Sequence, residues 1–113
     1  MPTFGYTNTK LANPAILGTT PVVYYTVPGL TTTISTAITV VNFSTGSVRV
    51  SIHFVPSGGA ADDSNVLVPN VPIAEYSLAN FNFGQIISSG DTIQAYAEYL
   101  NSITIHLSGI NII

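Results

Sequence analysis

Two histidines and five carboxylates are the side chains of this sequence with the widest chemical repertoire. His53 and His106 both fall on the polar faces of segments that alternate apolar and polar residues. On neighbouring strands their imidazoles could share a metal with a carboxylate such as Glu98, as a small metal-dependent β enzyme requires. No paired H-x-H spacing and no third ligand accompany them, so two independent surface histidines account for them better. Asp62, Asp63 and Asn65 offer the hard oxygens that calcium takes, but EF-hand spacing is absent and a solvated acidic loop is the simpler account. No serine has the G-x-S-x-G context of a nucleophile elbow, and the phosphate-cradling G-x-x-x-x-G-K is missing. The absence of cysteine removes disulfides, thiolate metal sites and a thiol nucleophile. Glu75, Asp91 and Glu98 are too scattered to form an acid–base pair. Asp91, following Gly90, sits where a turn aspartate bonds its own backbone. The expectation is a non-enzyme with neither metal nor cofactor.

Tyrosines are the better binding candidates. Tyr24 and Tyr25 are adjacent, so one of them is expected to point away from the core, and Tyr96 lies on the polar side of an alternating segment. An exposed tyrosine offers stacking area at low entropic cost, to a protein or to a sugar. Packing at a subunit interface or under a loop accounts for these rings equally well. Phe4 and Tyr6 near the start, and Ile110, Ile112 and Ile113 at the apolar end, complete the partner-binding candidates.

The elements that would position these residues read as strands. Val22–Val27 is rich in β-branched and aromatic residues, Pro28-Gly29 breaks the run, and Thr31–Phe43 resumes it with Thr, Ile and Val. Strand, short turn and long strand predict a β-hairpin, in which Ile34, Ile38 and Val40 share one face with Thr36, and Ala37, Val41 and Phe43 punctuate the other. After a turn at Ser44–Gly46, Ser47–Val55 alternates cleanly: Val48, Val50, Ile52 and Phe54 inward, Arg49, Ser51 and His53 outward. Residues 56–65, PSGGAADDSN, have the composition of an exposed loop. Short strands are expected at Val66–Val68, Ile73–Glu75, Tyr76–Phe83 and Gln85–Ile87. Two more close the domain, with Ile93, Ala95, Ala97 and Tyr99 on one side of the first and Ile103, Ile105 and Leu107 on one side of the second. No segment shows capped helical periodicity. The expectation is an all-β chain: a single small β-sandwich or jelly-roll-like domain over residues 21–113, with residues 1–20 an extended N-terminal arm. That arm crosses either its own domain or a neighbour and ends in a short edge strand near Ala15–Leu17.

Composition narrows the setting. One domain of 113 residues can build one modest core. Only 6% of its residues are charged, against roughly 25% in an average soluble domain. Two basic residues cannot form a phosphate-binding patch, which argues against nucleic acid. No apolar run approaches the ~18 residues of a membrane helix, and the start lacks the pattern of a signal peptide. So few charges give a free monomer little repulsion to disperse it, as suits a protein packed into a larger assembly.

The order of signals resembles a group of small all-β virion proteins of tailed bacteriophages. The resemblance rests on Tyr25-Thr26-Val27-Pro28-Gly29, on the Thr/Ile-rich segment from Thr31 to Asn42, and on Gly90-Asp91-Thr92-Ile93. One residue expected between Pro28 and Gly29 is absent, so the turn is one shorter than the pattern. The likeness runs from about Val22 to Gly109 and leaves the first twenty residues aside. It implies a capsid decoration (cement) protein, a homotrimer on the virion surface, made in the host bacterial cytoplasm and bound to the major capsid protein or other virion proteins. Decoration proteins of this kind clamp capsomers in part through a terminal arm. Residues 1–20 would serve, and their deletion is expected to weaken particle binding without unfolding the domain. The alternative from another class is a receptor- or glycan-binding module of a tail-fibre tip, using Tyr24 or Tyr25, Tyr96 and the Asp62-Asp63 loop.

Overall fold

The computed structural model describes residues 6–82 and 84–112 and is all-β. Its ten strands are β1 (Tyr6–Lys10), β2 (Ala15–Ile16), β3 (Val22–Thr26), β4 (Thr32–Asn42), β5 (Val48–Val55), β6 (Val66–Ile73), β7 (Leu78–Phe81), β8 (Gln85–Ile87), β9 (Thr92–Ala97) and β10 (Ile103–Ile112). One sheet has the order β1-β10-β4-β7, with β2 also lying along β10 and β8 along β4; the other has the order β3-β9-β5-β6. All pairings are antiparallel. Every link between the two sheets' strands crosses the sandwich, and only β5–β6 is a hairpin within one sheet. This is jelly-roll topology.

The core lies between the sheets. Val48, Val50 and Ile52 from β5 meet Ile93, Ala95 and Ala97 from β9, and Ile38 and Val40 from β4 meet Ile103, Ile105 and Leu107 from β10. Each large aliphatic side chain so buried contributes about 1.5–3 kcal/mol. Of the residues expected inward on β5, Val48, Val50 and Ile52 are buried and Phe54 packs half-buried on the core, while two expected outward, Ser51 and His53, are buried as well.

The expected hairpin of β3 with β4 does not form. β3 pairs with β9, and β4 with β10, β7 and β8, so Pro28–Thr31 carries the chain from one sheet to the other. Two consecutive strands that each have an apolar face to bury can satisfy it by facing one another across the core, and here they do. Tyr25 spans the gap: Thr33 Oγ1 donates to Asn111 Oδ1 at 2.7 Å, and the Tyr25 hydroxyl lies 2.9 Å from Thr33 Oγ1 and 3.2 Å from Asn111 Oδ1.

Ile34 does not share the face of Ile38 and Val40. Ser108 pairs with Ala37 but Gly109 with Ser35, leaving Thr36 as the extra residue of a bulge that turns Ile34 outward beside Ile110 and Ile86. Gly109 sits opposite this bulge, where a Cβ would lie 2.5 Å from the Ile34 carbonyl oxygen. The separate strands expected at Val66–Val68 and Ile73–Glu75 are one strand, β6, because Pro69 and Pro72 lie on a sheet edge where no ladder N–H is required of them. The strand expected at Tyr76–Phe83 is shorter, and Phe83 lies outside the described residues.

Of the two courses open to the first twenty residues, the described ones cross their own domain. β1 and β2 line the β10 edge, and Leu17 is a core residue. Removing residues 1–20 would therefore strip that edge and take Leu17 out of the core, which argues against an arm that the domain can lose without cost.

The residues behind the phage resemblance have structural work to do. Val27 N–H donates to Asp91 O, and Gly90 N–H to Val27 O, so two of the three motif segments are tied to each other. Gly90 has φ +85°, and a Cβ there would lie 2.7 Å from Ser57 Oγ. The Asp91 carboxylate accepts from Ser88 N–H at 2.9 Å and from Ser57 N–H at 3.0 Å, joining its own turn to the β5–β6 loop. Ile93 and Val27 are buried. Asn42, which ends the third segment, is also buried.

Candidate functional site

The two histidines lie on opposite outer faces of the sandwich. His106, exposed, pairs with Thr39 on the outside of the β10–β4 pair, and His53 lies on the outside of β5 beside Gln94. They cannot share a ligand. Among the described residues no three of His, Asp and Glu come together as a metal site.

His53 is not a surface residue: the loop 56–65 folds over it and leaves it 4% exposed. Its Nδ1 lies 3.1 Å from Asp62 O and 2.9 Å from Asn65 Oδ1. Both are acceptors, so Nδ1 carries the proton. The Asn65 amide is oriented by Asp62 N–H, which donates to Oδ1, and by Ala60 O, which accepts from Nδ2. The ring stacks on Tyr96 with centroids 5.9 Å apart, and Nε2 is buried with no hydrogen-bond partner among the described residues. Asp62 accepts from Ser64 Oγ and Ser64 N–H; these two bonds, the side-chain one first, hold its carboxyl below the ordinary 3.8. Asp62 and Asn65 thus shape the loop.

The proposed partner-binding residues are not gathered in one place. The register shift at Tyr24 lets both adjacent tyrosines pack against the core, so neither is the outward ring that strict alternation requires. Tyr96 is half-buried against His53. Ile110 and Ile112 lie half-buried on the outer face of the β10–β4 pair. Phe4, Ile113 and the side chain of Tyr6 lie outside the described residues.

The exposed apolar surface is concentrated elsewhere. Four connections meet at one end of the sandwich: residues 17–21, 43–47, 74–77 and 98–102. Seven of the ten large apolar side chains most exposed among the described residues lie there: Phe43, Tyr76, Tyr99 and Leu100 in the loops, with Ile16, Val22 and Leu78 at adjoining strand ends. Tyr76 is 70% exposed and Leu100 67%. Tyr76 adopts φ 49°, rare for a bulky side chain, so the turn holds its ring outward at a conformational cost.

Asn42 organises this end from below. Its Nδ2 donates to Gly46 O at 2.8 Å and Ile73 O at 2.9 Å, and its Oδ1 accepts from Ser44 N–H and Ser44 Oγ. Its backbone N–H reaches Ser77 O, and Phe43 N–H reaches Ser102 O. Three of the four loops are so fixed to one another. Loop 44–47 stands between two grooves. One, of about 250 Å³, runs against Tyr99–Ser102, and the other is lined by Pro72, Ala74 and Glu75. Such a surface offers aromatic and aliphatic contact area among hydroxyls, amides and the exposed carboxylates of Glu75 and Glu98.

Sequence reasoning passed over these residues. Tyr99 was expected to continue the inward set of β9, but that strand ends at Ala97. Tyr76 was expected within a strand. The signal available was an aromatic or leucine beside turn residues, as in Tyr99-Leu100-Asn101, where exposed polar residues are the norm.

No protein-family model matches the sequence, and no curated protein matches it. Among solved structures, a chain in the structure of infectious bursal disease virus, Gx strain, aligns with 97% of this chain at TM-score 0.57 and 9% identity. A chain of the Gt strain aligns with 96% at TM-score 0.52 and 6% identity. This chain spans about a third of their length, 32% and 31%. At such identities the likeness is one of fold.

Proposed function

We propose that this chain is a structural protein of virions, a decoration subunit of a tailed-bacteriophage capsid that docks through the loop end of its sandwich. The observation that carries the reading is the concentration of exposed aromatic and aliphatic side chains on that end, on a body with almost no charge. Apolar surface gathered in one patch marks an interaction site. Two further facts support the virion setting: the fold is that of chains in a virus structure, and the sequence resembles small phage virion proteins. The partner would be the major capsid protein or another virion protein, with the subunit acting as a homotrimer on the capsid surface. Docking by the loop end replaces the terminal arm as the contact, since β1 and β2 are committed to the sandwich edge.

The test is co-sedimentation with undecorated capsids, with light scattering for the free protein. A mass of about three times 11.9 kDa that moves into the particle fraction supports the reading. The variant Tyr99→Glu/Leu100→Glu should keep its circular dichroism and lose particle binding. A wild-type protein that ignores capsids would sink the proposal. The groove beside Tyr99, lined by Ser44, Thr45, Ser47 and Asn101, favours a second reading as a glycan-binding module. A glycan array giving a specific sugar signal abolished by Tyr99→Ala would put that reading ahead.

A further inference from the structure

We infer that the loop end docks on a basic protein surface, an apolar patch bearing lysine or arginine side chains that sit against two matching Glu–Tyr pairs. This rests on the docking role proposed for that end and names the chemistry of its partner.

The tripeptide Ala-Glu-Tyr occurs twice, at Ala74-Glu75-Tyr76 and Ala97-Glu98-Tyr99. The fold brings both copies to the same end, one in each loop flanking residues 44–47: Glu75 lines one groove and Tyr99 the other. Both glutamates and both tyrosines are exposed. A carboxylate beside an open aromatic face is the pairing that holds a cationic side chain, through charge-assisted hydrogen bonds on one side and the ring quadrupole on the other.

Among the described residues neither carboxylate forms an ion pair, and Glu98 accepts one backbone N–H. Its two cations are Lys10 and Arg49. Arg49 sends Nη1 to Asn70 O, and only its backbone N–H reaches Glu98 Oε1, at 3.3 Å. Glu75 accepts no side-chain hydrogen bond among the described residues. At the opposite end, Asp62 accepts two hydrogen bonds from Ser64, and Asp91 one each from Ser57 and Ser88. Exposed beside the apolar patch, with at most one backbone N–H on Glu98 between them, Glu75 and Glu98 are available to a partner. A second copy of the same end is a poor occupant, because it would set four carboxylates face to face, and the complementary surface is a positive one.

The experiment measures affinity for undecorated capsids between about 50 and about 500 mM NaCl, where screening of exposed charges changes most. Wild type should lose about tenfold or more across that range. Glu75→Gln/Glu98→Gln should bind about tenfold more weakly at low salt, with a flattened salt dependence. Tyr76→Phe/Tyr99→Phe should bind as wild type and Tyr76→Leu/Tyr99→Leu more weakly, since the ring face and not the hydroxyl meets the cation. A double Gln variant that binds with the wild-type salt dependence overturns the inference while leaving the docking role intact. Absence of any capsid binding instead fells the docking role. The inference is then decided by nitrogen-15 spectra titrated with an arginine–lysine tripeptide amide and with its all-glutamate counterpart. Saturable shifts confined to residues 74–77 and 98–102 with the basic peptide alone support it, and equal or absent shifts overturn it.

Discussion

At the scale of single residues, His53, Asp62, Asp91 and Asn42 are spent on holding loops. Asn42 shows what that is worth. Four polar groups bond to its buried amide, and Asn42→Ala would remove all four bonds, leaving Ser44 Oγ and Gly46 O with each other, at a cost of about 2–4 kcal/mol by urea denaturation. Gly90→Ala combines a positive φ with a clash against Ser57, and about 1–2 kcal/mol of destabilisation is expected in the same measurement. Asp62 makes a pH prediction. Its carboxyl is held below 3.8 in the folded loop, so its contribution to loop order is present above that value and is lost as pH falls through the lower folded value. The Ser64 amide resonance should shift in that acid window, and Asp62→Ala should abolish the shift. The roles of Asp91 and Gly90 were partly legible, because turn chemistry is local. The burial of His53 was not, because a residue on the outward side of a strand is buried only when a loop distant in sequence lies over it.

At the scale of elements, two features decide the architecture: which strands cross the sandwich and where a register slips. Leu17 tests whether the N-terminal segment is integral. It lies 1% exposed in the core, so Leu17→Ala should cost about 2–5 kcal/mol, as buried leucines do elsewhere. A midpoint unchanged in urea would return residues 1–20 to the status of a dispensable arm. Strand positions were readable because the period-two burial of β9 and the first part of β10 is written in Ile, Ala and Leu, and the inward side of β5 in Val and Ile. Strand partners were not, since Val22–Thr26 carries the same pattern whether it pairs with β4 or faces it across the core. The bulge at Thr36 was equally hidden: its cause is the Gly109 position opposite, some seventy residues away in sequence.

At the scale of the whole molecule, the apolar loop end was illegible because it is an assembly of four loops that only jelly-roll topology brings together. Each contributes one or two apolar residues that look incidental in sequence. Once assembled, they set the colloidal behaviour of the free protein. At pH 7 the formal net charge is −3, and Glu75 and Glu98 place part of it on the apolar end itself, so like ends repel. Lowering the pH toward the isoelectric point near 4.8 takes the net charge toward zero and weakens the repulsion between molecules while the apolar area stays. Light scattering should therefore report a rising mass between neutral pH and the isoelectric point, reversible on return to pH 7, with unchanged β circular dichroism. Leu100→Lys or Tyr76→Lys should suppress the rise, because a charge in the patch restores hydration and repulsion together. If the rise came with loss of the β signal, unfolding rather than contact between loop ends would be its cause. If the lysine variants associated as readily as wild type, the sticky surface would lie elsewhere, first of all on the Ile34, Ile86 and Ile110 face.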